Sequence, residues 1–152
     1  MRLVLVGFAC LWLTAGAGAV ALAGRPRAQA PTAPSAIWSG VYSASQAKRG
    51  QLEYGRSCEH CHGASLTGNP TDEVPSLVAD GFMFHWKGRT VQDLFARLSK
   101  SMPSDSPGSL DAGAYLDLVA YLLEANGFPS GQQDLNRDRL SGLVIEKAPS
   151  GP

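Results

Sequence analysis

Cys58-Glu59-His60-Cys61-His62 is the stretch that decides the fold. Two thiols three positions apart, followed at once by a histidine, match the C-x-x-C-H spacing through which a c-type haem is attached. The reason is geometric: the two thiols reach the two vinyl groups on one edge of a porphyrin, and the next histidine is then directed at the iron. Other readings of two spaced cysteines fit less well. Thioredoxin-type exchange needs a βαβ context that this chain lacks, and a zinc site needs two further well-spaced ligands where only His60, His62 and His85 are present. A disulfide between Cys58 and Cys61 would close a very small loop and leave His62 without a role. The remaining cysteine, Cys10, lies far upstream in an apolar run.

Working outward, residues 43–57 offer a serine cap and then Ala44, Ala47, Gly50 or Gln51, and Tyr54 at helical spacing, which predicts a helix leading into the motif. Residues 63–81 hold Gly63, Gly68, Asn69, Pro70, Pro75 and Gly81, a density of breakers that predicts an irregular loop. Thr90 caps a second helix with Val91, Leu94, Phe95 and Leu98 on one face and Gln92, Asp93, Arg97 and Lys100 toward water. A Pro/Ser/Gly loop over 101–110 carries Met102. The longest amphipathic run, 111–126, has Tyr115, Leu116, Leu118, Val119, Leu122 and Leu123 as its apolar set, and Gly127 and Pro129 close it.

The first 30 residues contain Arg2, an uncharged stretch over 3–23, and Ala/Gly-rich sequence with small-x-small sites, the pattern of a secretory signal. Two cleavage positions compete, before Gly24 and before Pro31, and the rival reading is an uncleaved membrane anchor. Residues 31–37 read as a linker, 38–129 as the domain, and 130–152 as a C-terminal extension in which the apolar run Leu143, Val144 and Ile145 is expected to pack. The 152-residue chain balances 13 basic against 13 acidic residues; residues 1–30 hold three arginines and no acid, so the remainder carries ten against thirteen and a net charge of −3. That mild acidity excludes the strong basic field of a nucleic-acid binder. Seventeen glycines and ten prolines in a chain this short predict many loops, and a covalently held group inside the fold would add apolar contact to a thin core.

These residues together resemble a class I cytochrome c over residues 38–129. The matching positions are Gly50 and Tyr54, Cys58 through Gly63, Pro75 in Val-Pro-Ser-Leu, Met102-Pro103, and the apolar run 115–123. The resemblance implies an all-α fold, the small cytochrome c fold, with three to five helices wrapped around one covalently bound haem. Its first and last helices would cross at Gly50, Tyr54 and Tyr121. Cys58 and Cys61 would form the thioethers, and His62 and Met102 would be the axial ligands of the haem iron. Pro75 would offer its carbonyl to His62, and Trp86 and Arg89 would bond a propionate. Met83 reads as core packing beside Phe82 and Phe84, His85 is the alternative sixth ligand, and His60 is a solvent-facing position.

The function this resemblance implies is that of an electron carrier, with no catalytic residues, that shuttles single electrons in the periplasm as part of a respiratory chain. A His/Met pair closes both iron faces and raises the reduction potential, which suits outer-sphere transfer. The resemblance is strongest to accessory cytochromes of periplasmic quinoprotein dehydrogenases, so the expected donor is a periplasmic dehydrogenase and the acceptor an oxidase or another cytochrome. A membrane enters only if the leader is uncleaved. Two alternatives keep the haem: an enzyme or gas sensor with an open distal site, and a tethered cytochrome subunit of a membrane redox complex. Lys87, Arg89, Arg97 and Lys100, against one acid at Asp93, form a candidate docking patch.

Overall fold

The computed structural model describes residues 35–149. The expected leader, its two cleavage positions and Cys10 lie outside the described residues. The described part falls within one compact unit, Ala33–Pro152. It contains five α-helices, three short 3-10 segments and, among the described residues, isolated bridges in place of strands. No described helix is long and apolar enough to cross a membrane.

Helix α1, Ala44–Ser57, starts where the Ser43 hydroxyl accepts the Gln46 N–H at 3.1 Å, which satisfies one of the first-turn donors. A single further turn, α2, Glu59–His62, carries the cysteine motif and stops at Gly63, whose φ of +75° reverses the chain. Helix α4, Val91–Ser101, opens with a reciprocal box between Thr90 and Asp93. Helix α5, Ala112–Ala125, is capped by Asp111, whose carboxylate accepts the Ala114 N–H at 2.8 Å. These three long helices stand where the spacing of apolar residues predicts them.

Between them, helix α3, Ala79–Trp86, is an element that the sequence pattern did not predict. Its N-cap, Val78, makes no side-chain cap bond, and it buries only Phe82, so neither a cap nor a stripe announces it. Phe84, expected in the core, is 85% exposed.

Helices α1 and α5 cross at Gly50. A Cβ there would sit 1.9 Å from the Asp117 carbonyl oxygen and 2.9 Å from Tyr121 Cβ, so only glycine permits this approach. Next to the crossing, the Tyr54 and Tyr121 rings pack with centroids 5.4 Å apart. The Arg49 guanidinium bridges the crossing, bonding Asp117 at 2.8 Å and Asp134 at 2.7 Å.

Asp134 lies beyond the expected domain end at Pro129, and the chain after it packs as part of the same unit. Leu135, Leu140, Leu143 and Ile145 are all buried in the core. The side chain of Gln46, itself buried in α1, donates to the Leu135 carbonyl at 3.0 Å and accepts the Leu135 N–H at 2.6 Å. The extension thus supplies core side chains, and its backbone is hydrogen-bonded to α1.

Candidate functional site

One cavity of about 910 Å³ is lined by the motif and by residues of the later loops. That volume falls within the roughly 300–1,000 Å³ of sites that enclose small cofactors. Cys58, Cys61, His62, Met102 and Pro103 all line it, and Leu77, Leu94, Leu98, Leu118 and Leu122 add apolar wall. Pro75, Trp86 and Arg89 line the same space. Every site residue expected from the sequence therefore meets in one place.

His62 is buried, with 9% of its surface exposed. Its Nδ1 faces the Pro75 carbonyl at 3.4 Å, long for a hydrogen bond but correctly directed. Burial lowers the imidazole pKa, and the Pro75 carbonyl only partly opposes this. The ring is therefore neutral near pH 7, with its proton assigned to Nδ1 by that contact, which leaves the Nε2 lone pair for a metal.

Gly68 explains how Pro75 reaches this position. The Gly68 N–H donates to the His62 carbonyl at 3.0 Å, and a Cβ on Gly68 would lie 2.3 Å from the Val74 oxygen and 2.6 Å from the Pro75 oxygen. With a φ of +70°, it folds the breaker-rich loop back onto the histidine. Tyr54 adds a second tie, donating its hydroxyl to the Gly63 carbonyl at 2.7 Å.

Burial pushes the Cys58 thiol up to about 11, with Glu53 and Cys61 adding to the shift. At neutral pH it is a thiol, unlike the low-pKa thiolate of a redox-active cysteine. Two thiols, a neutral histidine and a thioether in the lining of one largely apolar cavity are a donor set that fits a covalently attached haem. A hydrolytic metal centre would need further His, Cys, Asp or Glu ligands, and no such cluster occurs among the described residues.

Met102 caps the end of α4, where its N–H donates to the Leu98 carbonyl at 3.0 Å. Its own carbonyl accepts the Tyr115 hydroxyl from α5 at 2.7 Å. Tyr115, read from sequence only as an apolar position, thus anchors the methionine loop. His85 also lines the cavity, exposed at the end of α3 and edge-on to Phe84. Met83 packs instead against the core and borders a separate recess with Trp38 and Phe128.

The Arg89 guanidinium lies over the Trp86 ring, 5.8 Å from its centroid. Arg56 and Arg97 also reach the lining, so three arginines stand against one acid there, Asp105. The sequence placed Arg97 on the water-facing side of its helix and in the candidate docking patch. Lys87 and Lys100 are exposed.

Comparison with known proteins matches this chain to the family described as cytochrome c oxidase, cbb3-type, subunit III, over residues 45–122, just over half of the sequence. Among solved structures, the sulfane dehydrogenase SoxCD from Paracoccus pantotrophus is similar in fold, with a TM-score of 0.51 and 18% identity. The similarity covers 72% of this chain and 62% of that one, so this chain spans less than two thirds of its length. No curated protein matches.

Proposed function

Because the chain belongs to the cbb3-type cytochrome c oxidase subunit III family, and is a class I c-type cytochrome, we propose that it is a periplasmic carrier with one covalent haem ligated by His62 and Met102. The observation that carries this reading is the convergence of Cys58, Cys61, His62 and Met102 on one cavity. When bound, haem supplies an iron that accepts one electron from a donor and passes it on with no bond made or broken.

The chain's own work is holding and shielding. Cys58 and Cys61 would bind the haem edge through thioethers, and the Pro75 contact keeps the His62 ring in one orientation and tautomer. Tyr54 and Tyr115 fix the two turns that carry His62 and Met102. Leu94, Leu98, Leu118 and Leu122 exclude water from the interior, which lowers the reorganisation that accompanies a change of charge. Arg56, Arg89 and Arg97 give the mouth a positive field that favours approach of an acidic partner surface.

For partners, we read a periplasmic dehydrogenase as donor and an oxidase or another cytochrome as acceptor. The similar fold in a sulfane dehydrogenase supports a redox-complex setting. The leader-like N-terminus supports export, and fractionation into soluble and membrane pools distinguishes a free carrier from a tethered subunit.

Carbon monoxide tests the ligation. The reduced protein is expected to resist the gas, and Met102→Ala to bind it while His85→Ala behaves as wild type. Binding by the wild-type protein would favour an open distal site and contradict the carrier reading.

A further inference from the structure

The turn between α3 and α4 is closed by the far end of the chain. The Gly88 N–H donates to the Ile145 carbonyl, the Ile145 N–H to the Arg89 carbonyl, and the Val91 N–H to the Leu143 carbonyl, each at 2.8 Å. Thr90 and Val144 pair as an antiparallel bridge. Arg89 is thus bracketed by backbone bonds to residues 143–145. These bonds are backed by Leu143 and Ile145, buried at 4% and 0% exposure, while Lys87, Gly88 and Arg89 themselves are exposed. On the other side the Arg89 N–H donates to the Trp86 carbonyl at 2.9 Å, and just beyond it Thr90 and Asp93 close their box. The extension is itself pinned further along, by Trp38 Nε1 donating to the Glu146 carbonyl at 3.2 Å and by the Gln46 pair to Leu135.

We propose that residues 143–146 form a strap that fixes the Arg89 backbone, so that its guanidinium stays over Trp86 at the cavity lining and raises the reduction potential of the centre held there. The proposal rests on the haem reading of that cavity. An exposed arginine on a four-residue turn would otherwise sample many positions, and the time-averaged field it exerts would be screened. Fixed in place, a positive charge favours the reduced form, which carries one positive charge fewer than the oxidised form. Arg89 acts by its charge, and residues 143–146 act through Arg89.

The test is a double-mutant cycle on the haem-loaded protein, read by redox titration. Ile145→Ala is expected to shift the oxidised-to-reduced ratio at a fixed poise about threefold toward oxidised, and Arg89→Gln by at least as much. The double variant should match Arg89→Gln alone, because the strap has nothing further to position. Additive shifts, or an unchanged potential in Ile145→Ala, would overturn the proposal, since lost packing alone lowers stability without this coupling. If Ile145→Ala does not hold haem, Ile145→Val takes its place in the cycle. Amide exchange on the wild-type protein gives an independent reading: the Gly88, Val91 and Ile145 amides should be protected as well as those of α5, and fast local exchange would refute a fixed strap. Absence of a haem spectrum in the wild type would instead refute the haem reading, leaving the strap to be judged by exchange.

Discussion

Replacing Gly50 by alanine sets two opposed effects against each other. In a helix interior, alanine is favoured over glycine by about 0.8–1.0 kcal/mol, so an unpacked site would gain stability. Here the new methyl would lie 1.9 Å from the Asp117 carbonyl oxygen, 2.4 Å from its carbon and 2.9 Å from Tyr121 Cβ. Two of these three atoms are backbone, so no rotamer change relieves the contact, and α1 and α5 must move apart. Overpacking of this kind costs typically 1–3 kcal/mol, and separation also loosens the Tyr54–Tyr121 contact. Taking the upper end for an immovable neighbour, the net loss is about 2 kcal/mol, a fall in Tm on the order of 10 °C. Denaturant titration followed by far-UV circular dichroism measures it. Gly55→Ala is the control on the same helix: its nearest neighbour would be Glu59 Oε2 at 3.5 Å, and it should be neutral or stabilised. A Gly50→Ala protein as stable as wild type would refute the close-crossing argument.

Gln46→Ala leaves the Leu135 N–H and carbonyl without their buried partner, and should cost about 2–4 kcal/mol by urea titration; a loss under half of that would mean water replaces the amide. Tyr115→Phe removes the bond to the Met102 carbonyl, and should cost about 1 kcal/mol and weaken the far-red band that reports iron–sulfur bonding. Ser43, and then Arg49, hold the Asp134 carboxyl below its ordinary 3.8. Because the folded pKa lies below the unfolded one, the stability that it contributes is present above pH 3.8 and lost as pH falls through the folded value. Asp134→Asn should therefore flatten the acid-side decline in stability, and an unchanged slope would show that other carboxylates control it. Neutralising Lys87 and Lys100 should slow electron transfer to an acidic partner more at low salt than at high salt; a salt-independent effect would remove the docking patch.

The helices flanking the motif were legible because they carry both signals that a sequence displays, a capping side chain and an apolar face. Ser43, Thr90 and Asp111 each begin a helix where expected. Helix α3 was hidden because it is short, contains Gly81, and mixes buried Phe82 with exposed Phe84, so no face is consistently apolar. The extension after Pro129 was legible only in its apolar run 143–145, and Leu135 and Leu140 were missed for a related reason. Leu135 and Leu140 are isolated in polar sequence at a spacing that is neither helical nor strand-like, and Arg137–Gly142, a 3-10 segment, brings Leu140 to the core, while Leu143 and Ile145 flank the Val144 bridge. Buried Gln46 was invisible because a polar residue on a helix reads as solvent-facing until its partner 89 residues away is known. At the site, the sequence named the residues that meet in the cavity, while the ties that hold them, Gly68 beneath Pro75 and Tyr115 on Met102, depend on long-range contacts that no local spacing encodes.

The most direct test of the central claim is the optical spectrum of protein made in a host with c-haem maturation, recorded air-oxidised and then dithionite-reduced, with the chain afterwards denatured and stained for haem. The expected result is sharp reduced α and β bands, one haem per chain, and haem that stays with the denatured polypeptide but is lost when Cys58 and Cys61 are both alanine. A chain that carries no haem, or releases it on denaturation, would contradict covalent attachment through the motif at 58–62.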